Sequence, residues 1–305
     1  MQNRRRFIQQ VASATTFVSL GGLSLASCSR PISKKITVLH TNDVHSQIDP
    51  LPNNHYKYPG LGGFARRASI IEQVRTQNPN TVLLDAGDIF QGTPYFNYYG
   101  GEIEFKLMSK LKYDLATIGN HDFDNGIDGL LSQLPNATFN FVSANYDFTN
   151  TVLNDFVKPY KVLVKDGIRI GVFGLGVELE GLVNKNLYKE TLYLNPIEIA
   201  QDMSRVLKEE EHCDIIICLS HIGYDYKTNP DKVSDLHLAK KTKDIDLIIG
   251  GHTHTLLPEP TVVDNSIGQK VLINQCGKSG IYMGQIDFYL DSTGNKTAEG
   301  RSVEV

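Results

Sequence analysis

Five apolar runs in this chain each end in a short polar cluster, and that arrangement restricts the fold more than any other feature. The clusters read Asp43-Val44-His45, Gly87-Asp88, Gly119-Asn120-His121-Asp122, Ser220-His221 and Gly250-Gly251-His252-Thr253-His254. Several of the preceding runs are short, apolar and rich in β-branched residues, as buried strands are. Segments with helical periodicity lie between them. Strands that alternate with helices build an α/β sandwich of mixed sheets. Loops leaving the carboxyl ends of such strands converge, so residues distant in sequence meet there.

Strands are expected at residues 36–40, 81–85, 114–118, 139–143, 160–164, 168–173, 214–219, 246–249, 271–274 and 282–290. The Asp166-Gly167 pair between two of them signals a hairpin. Helices are expected at residues 64–75, 102–111, 127–134 and 236–241. A longer one runs from the Asn195-Pro196 cap to about Glu211. Gly171 to Gly176 has the wrong spacing for a nucleotide-binding loop and reads as a strand exit. Tyr95, Tyr98 and Tyr99 form an aromatic cluster beyond Asp88, suited either to a cleft wall or to packing.

The clusters carry oxygen and imidazole donors in the number that two divalent cations require. Cations about 3.5–4 Å apart need a bridging anion, and Asp88 in its Gly-Asp turn is the candidate bridge. Asp43, His45 and His254 complete one set; Asn120, His221 and His252 complete the other. Mixed nitrogen and oxygen donors suit Zn, Mn, Fe or Co without choosing among them. Water on such a cation ionises near pH ~7 and becomes a nucleophile toward phosphorus. His121 follows Asn120 directly and is placed to protonate a leaving group, with Asp124 to orient it. His40 reads as a core or supporting residue, and His55, His212 and His237 as surface residues.

The N-terminus has the form of an export leader. Asn3 to Ile8 contains Arg4-Arg5-Arg6 and resembles a twin-arginine signal. Leu25-Ala26-Ser27-Cys28 resembles a lipoprotein processing site. The expectation is a signal peptide over residues 1–27, lipidation of Cys28, a linker over 28–35 and one domain over 36–305. The mature protein would then be periplasmic or anchored to the outer membrane. The formal charge of −4 would deepen by the three arginines, to −7, which argues against a nucleic-acid partner. Cys213, Cys218 and Cys276 remain and cannot all pair. Cys213 and Cys218, five apart, are expected on opposite faces of one strand as buried free thiols.

The blocks Leu39 to His45, Leu84 to Asp88, Gly119 to Asp124, Ser220-His221 and Gly250 to His254 resemble the calcineurin-like metallophosphoesterases, in the wording of the 5′-nucleotidases. The resemblance extends from about Ile36 to Leu290. It implies a four-layer αββα sandwich of two mixed β-sheets, two metals, and His121 with Asp124 as the catalytic pair. His254 stands where some members carry Gln. The implied activity is hydrolysis of phosphomonoesters, with 5′-nucleotides as the leading substrates. Phosphodiester or 2′,3′-cyclic nucleotide cleavage is the alternative. Members acting on nucleotides usually carry a second, base-stacking domain, which is expected here on a separate protein if it exists. A subunit that only binds nucleotide for such a partner is the non-catalytic reading.

Overall fold

The computed structural model describes residues 32–305. The leader and Cys28 lie outside the described residues. Fourteen strands follow in order: β1 (Ile32–Thr41), β2 (Thr81–Asp85), β3 (Leu115–Ala116), β4 (Asn140–Phe141), β5 (Tyr146–Asp147), β6 (Tyr160–Lys165), β7 (Ile168–Gly176), β8 (Leu192–Tyr193), β9 (Ile215–His221), β10 (Leu247–Gly250), β11 (Thr261–Asp264), β12 (Lys270–Asn274), β13 (Tyr282–Asp291) and β14 (Lys296–Glu304). The helices are α1 (Phe64–Gln77), α2 (Pro94–Tyr99), α3 (Glu102–Lys110), α4 (Gly126–Gln133), α5 (Lys185–Tyr188), α6 (Pro196–Arg205) and α7 (Asp235–Lys241).

Two six-stranded sheets dominate, ordered β14-β13-β1-β2-β3-β4 and β11-β12-β10-β9-β7-β6. Each contains four parallel strands, β1 through β4 along one side of the first and β12-β10-β9-β7 in the centre of the second. Antiparallel strands complete them: β13 and β14 in the first, β11 and β6 in the second.

Alternation along the strands explains the layering. Ile36 and Val38 of β1 face Ile215, Ile217 and Leu219 of β9 in the core between the sheets. Leu39 points the other way, toward Phe64, Ile71 and Val74 of α1. On the far side, Ile216 and Cys218 of β9 pack with Ala200 of α6 and Leu238 and Ala239 of α7. The result is helix, sheet, sheet, helix, the four-layer αββα sandwich. Full burial of an Ile or Leu is worth about 1.5–3 kcal/mol. A one-residue slip would turn every such side chain to the wrong face, so the central layer fixes the register.

Several elements depart from expectation. β1 begins at Ile32, inside the stretch read as linker. The long helix ends at Arg205 and widens into one π-helical turn, Val206–Glu210. There the Glu211 amide donates to the Val206 carbonyl and Leu207 is fully buried. Gly171 to Gly176 lies inside β7. The tyrosine cluster beyond Asp88 forms α2, with Tyr98 and Tyr99 in solvent. Cys213 and Cys218 do not point apart. Cys213 precedes the first strand residue, Ile215, so alternation does not reach it. Both pack into the core beneath α6 and α7, and all three described cysteines are buried free thiols.

Candidate metal centre

The five clusters meet at one edge. Asp43 and His45 follow β1, Asp88 follows β2, Asn120 and His121 follow β3, His221 ends β9, and His252 and His254 follow β10. These strands come from both sheets, so the site lies where the carboxyl edges of the two sheets adjoin.

Backbone pairing between loops holds the donors. The Asp43 amide donates to Gly87 O (2.9 Å), the His45 amide to Asp88 O (3.0 Å) and the Ser46 amide to Ile89 O (2.8 Å). Asp122 clamps the next loop. Its carboxylate accepts from the amides of Asp88 (3.0 Å), Ile89 (2.9 Å), Phe90 (3.1 Å) and Gly119 (2.8 Å). Burial raises the Asp122 carboxyl to about 7, and the Asp88 charge pushes the same way. Asp85 shapes the turn from the other side, accepting from Thr41 Oγ1 (2.5 Å) and the Gly87 amide (2.9 Å). Gly87 has φ of 89°, where glycine alone is free of strain. A Cβ on Gly119 would sit 2.2 Å from Asp88 Oδ1, so glycine there makes room for the carboxylate.

Five of the seven donor residues themselves occupy the left-handed region: Asp43 (49°), His45 (50°), Asp88 (56°), His252 (71°) and His254 (53°). Each such non-glycine conformation costs of order 1–3 kcal/mol and is held by its surroundings.

The donor atoms converge. Asp43, His45, Asp88 and His254 each place a ligand atom within 4.8 Å of the others. His45 Nε2 lies 3.0 Å from His254 Nε2 and 3.8 Å from Asp88 Oδ2. His254 Nε2 is 3.4 Å from Asp43 Oδ1. On the other side of Asp88, His221 Nε2 stands 3.1 Å from Asp88 Oδ2, and His252 Nδ1 stands 2.8 Å from Asn120 Oδ1. The His221 and His252 rings meet edge to face at 5.5 Å. Asp88 thus faces both groups.

The protonation pattern fits a divalent cation. His221 Nδ1 donates to Ala86 O (2.7 Å), so Nε2 is the ring nitrogen left to face Asp88. That buried Nε2 has no hydrogen bond of good geometry among the described residues. His45 Nδ1 lies 3.3 Å from Phe90 O, so its Nε2 also presents a lone pair, toward a second imidazole nitrogen. Burial lowers His45, and it lowers His252 to about 4, helped by the His221 charge. Neutral imidazoles are the form that ligates. Burial also opposes charge on His221, but Asp88 and Asp43 outweigh it and raise the ring to about 10. A cation at the same point would satisfy those carboxylates in the proton's place.

His121 stands beside the donors rather than among them. Its amide donates to Asp88 Oδ1 (2.8 Å), and its ring lies 5.3 Å from that of His45. Nδ1 is 2.8 Å from Asp124 Oδ2. That hydrogen bond raises the imidazole above its ordinary value against partial burial. The charged form therefore persists to higher pH and is lost above the raised value. Replacing Asp124 by Asn should move the His121 titration to lower pH, measured by NMR of the ring carbons. No movement would show that Asp124 leaves the ring unperturbed.

His40 is buried and neutral, lowered to about 3 by burial, and lies 3.1 Å from Asn274 Nδ2. His212 is exposed, and His237 is half-buried with Nδ1 2.9 Å from Ser234 Oγ. His55 is not a plain surface residue: with Tyr58 and Tyr282 it lines a cleft that reaches His254. The clamp role of Asp122 also escaped the sequence reading. Its place in the Gly119 to Asp122 block was the one available signal.

Comparison with known proteins accords with this geometry. The calcineurin-like phosphoesterase family profile matches residues 36–256. The trifunctional nucleotide phosphoesterase protein of Bacillus subtilis is 34% identical over 291 residues, covering 85% of this chain and 18% of that protein. Human 5′-nucleotidase is 32% identical, over 93% of this chain and 51% of its own length. The crystal structure of a 5′-nucleotidase precursor from Thermus thermophilus superposes with a TM-score of 0.80 at 33% identity, covering 89% of this chain and 55% of that one. The chain spans about half the length of these relatives, or less.

Proposed function

This chain belongs to the calcineurin-like phosphoesterase family, and on that premise we propose that it is a metal-dependent hydrolase of phosphomonoesters acting on 5′-nucleotides. The observation that carries the proposal is Asp88, whose carboxylate faces an imidazole nitrogen of each of two groups of donors, His45 Nε2 and His221 Nε2. In this reading Asp43, His45 and His254 would hold one cation, Asn120, His221 and His252 would hold a second, and Asp88 would serve both. Cations bound there supply Lewis acidity toward phosphate oxygens and acidify water at neutral pH.

The remaining chemistry belongs to side chains. His121, charged through its bond to Asp124, donates from Nε2 to the leaving oxygen and stabilises charge as the ester bond breaks. Asp122 and Asp85 keep the Asp88 loop in place through their amide contacts and leave the reacting groups untouched. Export and acylation at Cys28 form part of the proposal, resting on the leader sequence, and intact-mass analysis of membrane fractions tests them.

The decisive experiment strips the protein with a chelator and reloads it with Mn, Zn, Co or ferrous ion. Stripped protein should be inactive, and reloading should restore hydrolysis of monoesters such as adenosine 5′-monophosphate in preference to diesters. Silence with every metal would sink the assignment, and preference for 2′,3′-cyclic nucleotides would transfer it to diester chemistry.

A further inference from the structure

We propose that a tyrosine-walled cleft beside His254 is a leaving-group subsite, built from this chain alone, for esters whose leaving group carries a planar aromatic or heteroaromatic ring. The inference rests on the hydrolase reading above and adds a specificity to it.

The cleft encloses about 340 Å³, within the range of small-molecule sites. It is continuous with the candidate centre, because His254 is at once part of its lining and 3.4 Å from Asp43 Oδ1. A substrate whose phosphate occupies the centre therefore has this cleft within reach of its ester substituent.

The walls suit a flat ring. Tyr58 and Tyr282 meet edge to face, with centroids 6.2 Å apart at 83°. His55 lies nearly parallel to Tyr58, at 12°, and its Nδ1 accepts from the Tyr58 amide at 3.0 Å. The loop carrying these rings is closed on itself, since the Leu51 amide donates to Leu61 O (2.8 Å) and the His55 amide to Pro52 O (2.9 Å). The backbone that carries His55 and Tyr58 is thus set in place before any ligand arrives, as is Tyr282 on β13, which lowers the entropy cost of binding. Tyr56 of the same loop is 92% exposed, although its ring could bury a large apolar area.

Charge points to the same substrate. Among the described residues, Lys57 and Lys278 belong to the lining and no carboxylate does. Glu304, beyond the lining, accepts from the Tyr282 hydroxyl at 3.4 Å. Lys57 Nζ lies over the Tyr58 ring, 4.9 Å from its centroid, so a phosphorylated ligand entering the cleft meets a cation beside the ring that walls it.

Two measurements test the subsite. In the first, adenosine without phosphate is offered to metal-stripped protein, and saturation-transfer NMR reads binding through the base protons. Transfer is expected for the wild type and for Tyr58→Phe, and its loss for Tyr58→Ala and Tyr282→Ala. In the second, kcat/KM for adenosine 5′-monophosphate is divided by that for glycerol 3-phosphate in the reloaded enzyme. This ratio should fall about tenfold in the alanine variants, the scale of one lost ring contact with a base, and recover in Tyr58→Phe. Turnover without adenosine binding, or an unchanged ratio in both alanine variants, overturns the subsite alone. Adenosine binding without turnover of any ester overturns the hydrolase reading and the leaving-group role together. A change in sedimentation between wild type and Tyr58→Ala would assign the cleft to a protein partner and also overturns the proposal.

Discussion

Asp88→Asn should cost the protein bound metal and about three orders of magnitude in kcat/KM. The substitution preserves an oxygen for the His121 amide, which Asp88 Oδ1 accepts at 2.8 Å, so the loop retains its anchor. It removes the negative charge that faces His45 on one side and His221 on the other. Two cations without a shared anion repel one another. If the site holds two as proposed, loss of one forfeits transition-state charge stabilisation of several kcal/mol, and about 4 kcal/mol is about 10³ in rate. Elemental analysis of the purified variant, paired with kinetics, checks both halves. Full metal content with wild-type turnover would refute the bridging role.

His121→Ala should separate chemistry from metal binding. The ring is 38% exposed and no donor of the converging set depends on it, while the amide that anchors Asp88 is backbone and survives. Metal content should therefore match the wild type, and kcat should fall by about 10²–10⁴, the usual worth of a positioned general acid. The loss should be greater for alkyl phosphates than for p-nitrophenyl phosphate, whose leaving group scarcely needs a proton. The hydrogen bond to Asp124 raises the His121 value, so the active charged form is present below that value and declines above it. The alkaline decline in wild-type rate should accordingly vanish in the variant. A variant that keeps the decline would show that another group titrates there.

The parts of the fold that were legible share a physical origin. Buried parallel strands must be apolar on both faces, so β2, β9 and β10 stand out as runs, and the donors stand out as the polar residues that interrupt them. Asn195-Pro196 marked a helix start because the Asn195 side chain accepts the Ile197 amide while proline needs no partner. Other features depend on partners the local pattern does not name. Asp122 matters through four amides of two loops. β14 has a mixed, half-exposed composition and exists through its ladder to β13. The tyrosine cleft joins segments from opposite ends of the chain, and neither carries a sign of the other. Cys213 shows the complementary failure: the alternation rule was sound, but the strand begins at Ile215, two residues past Cys213.

The left-handed backbone at Asp43, His45, Asp88, His252 and His254 has a consequence for engineering. Glycine would relax every one of those positions. A library of this protein selected for heat tolerance without regard to turnover should therefore accumulate glycine along the rim of the sheets, and its sturdiest survivors should be inert. Here robustness and reactivity draw on the same few torsion angles in opposite directions.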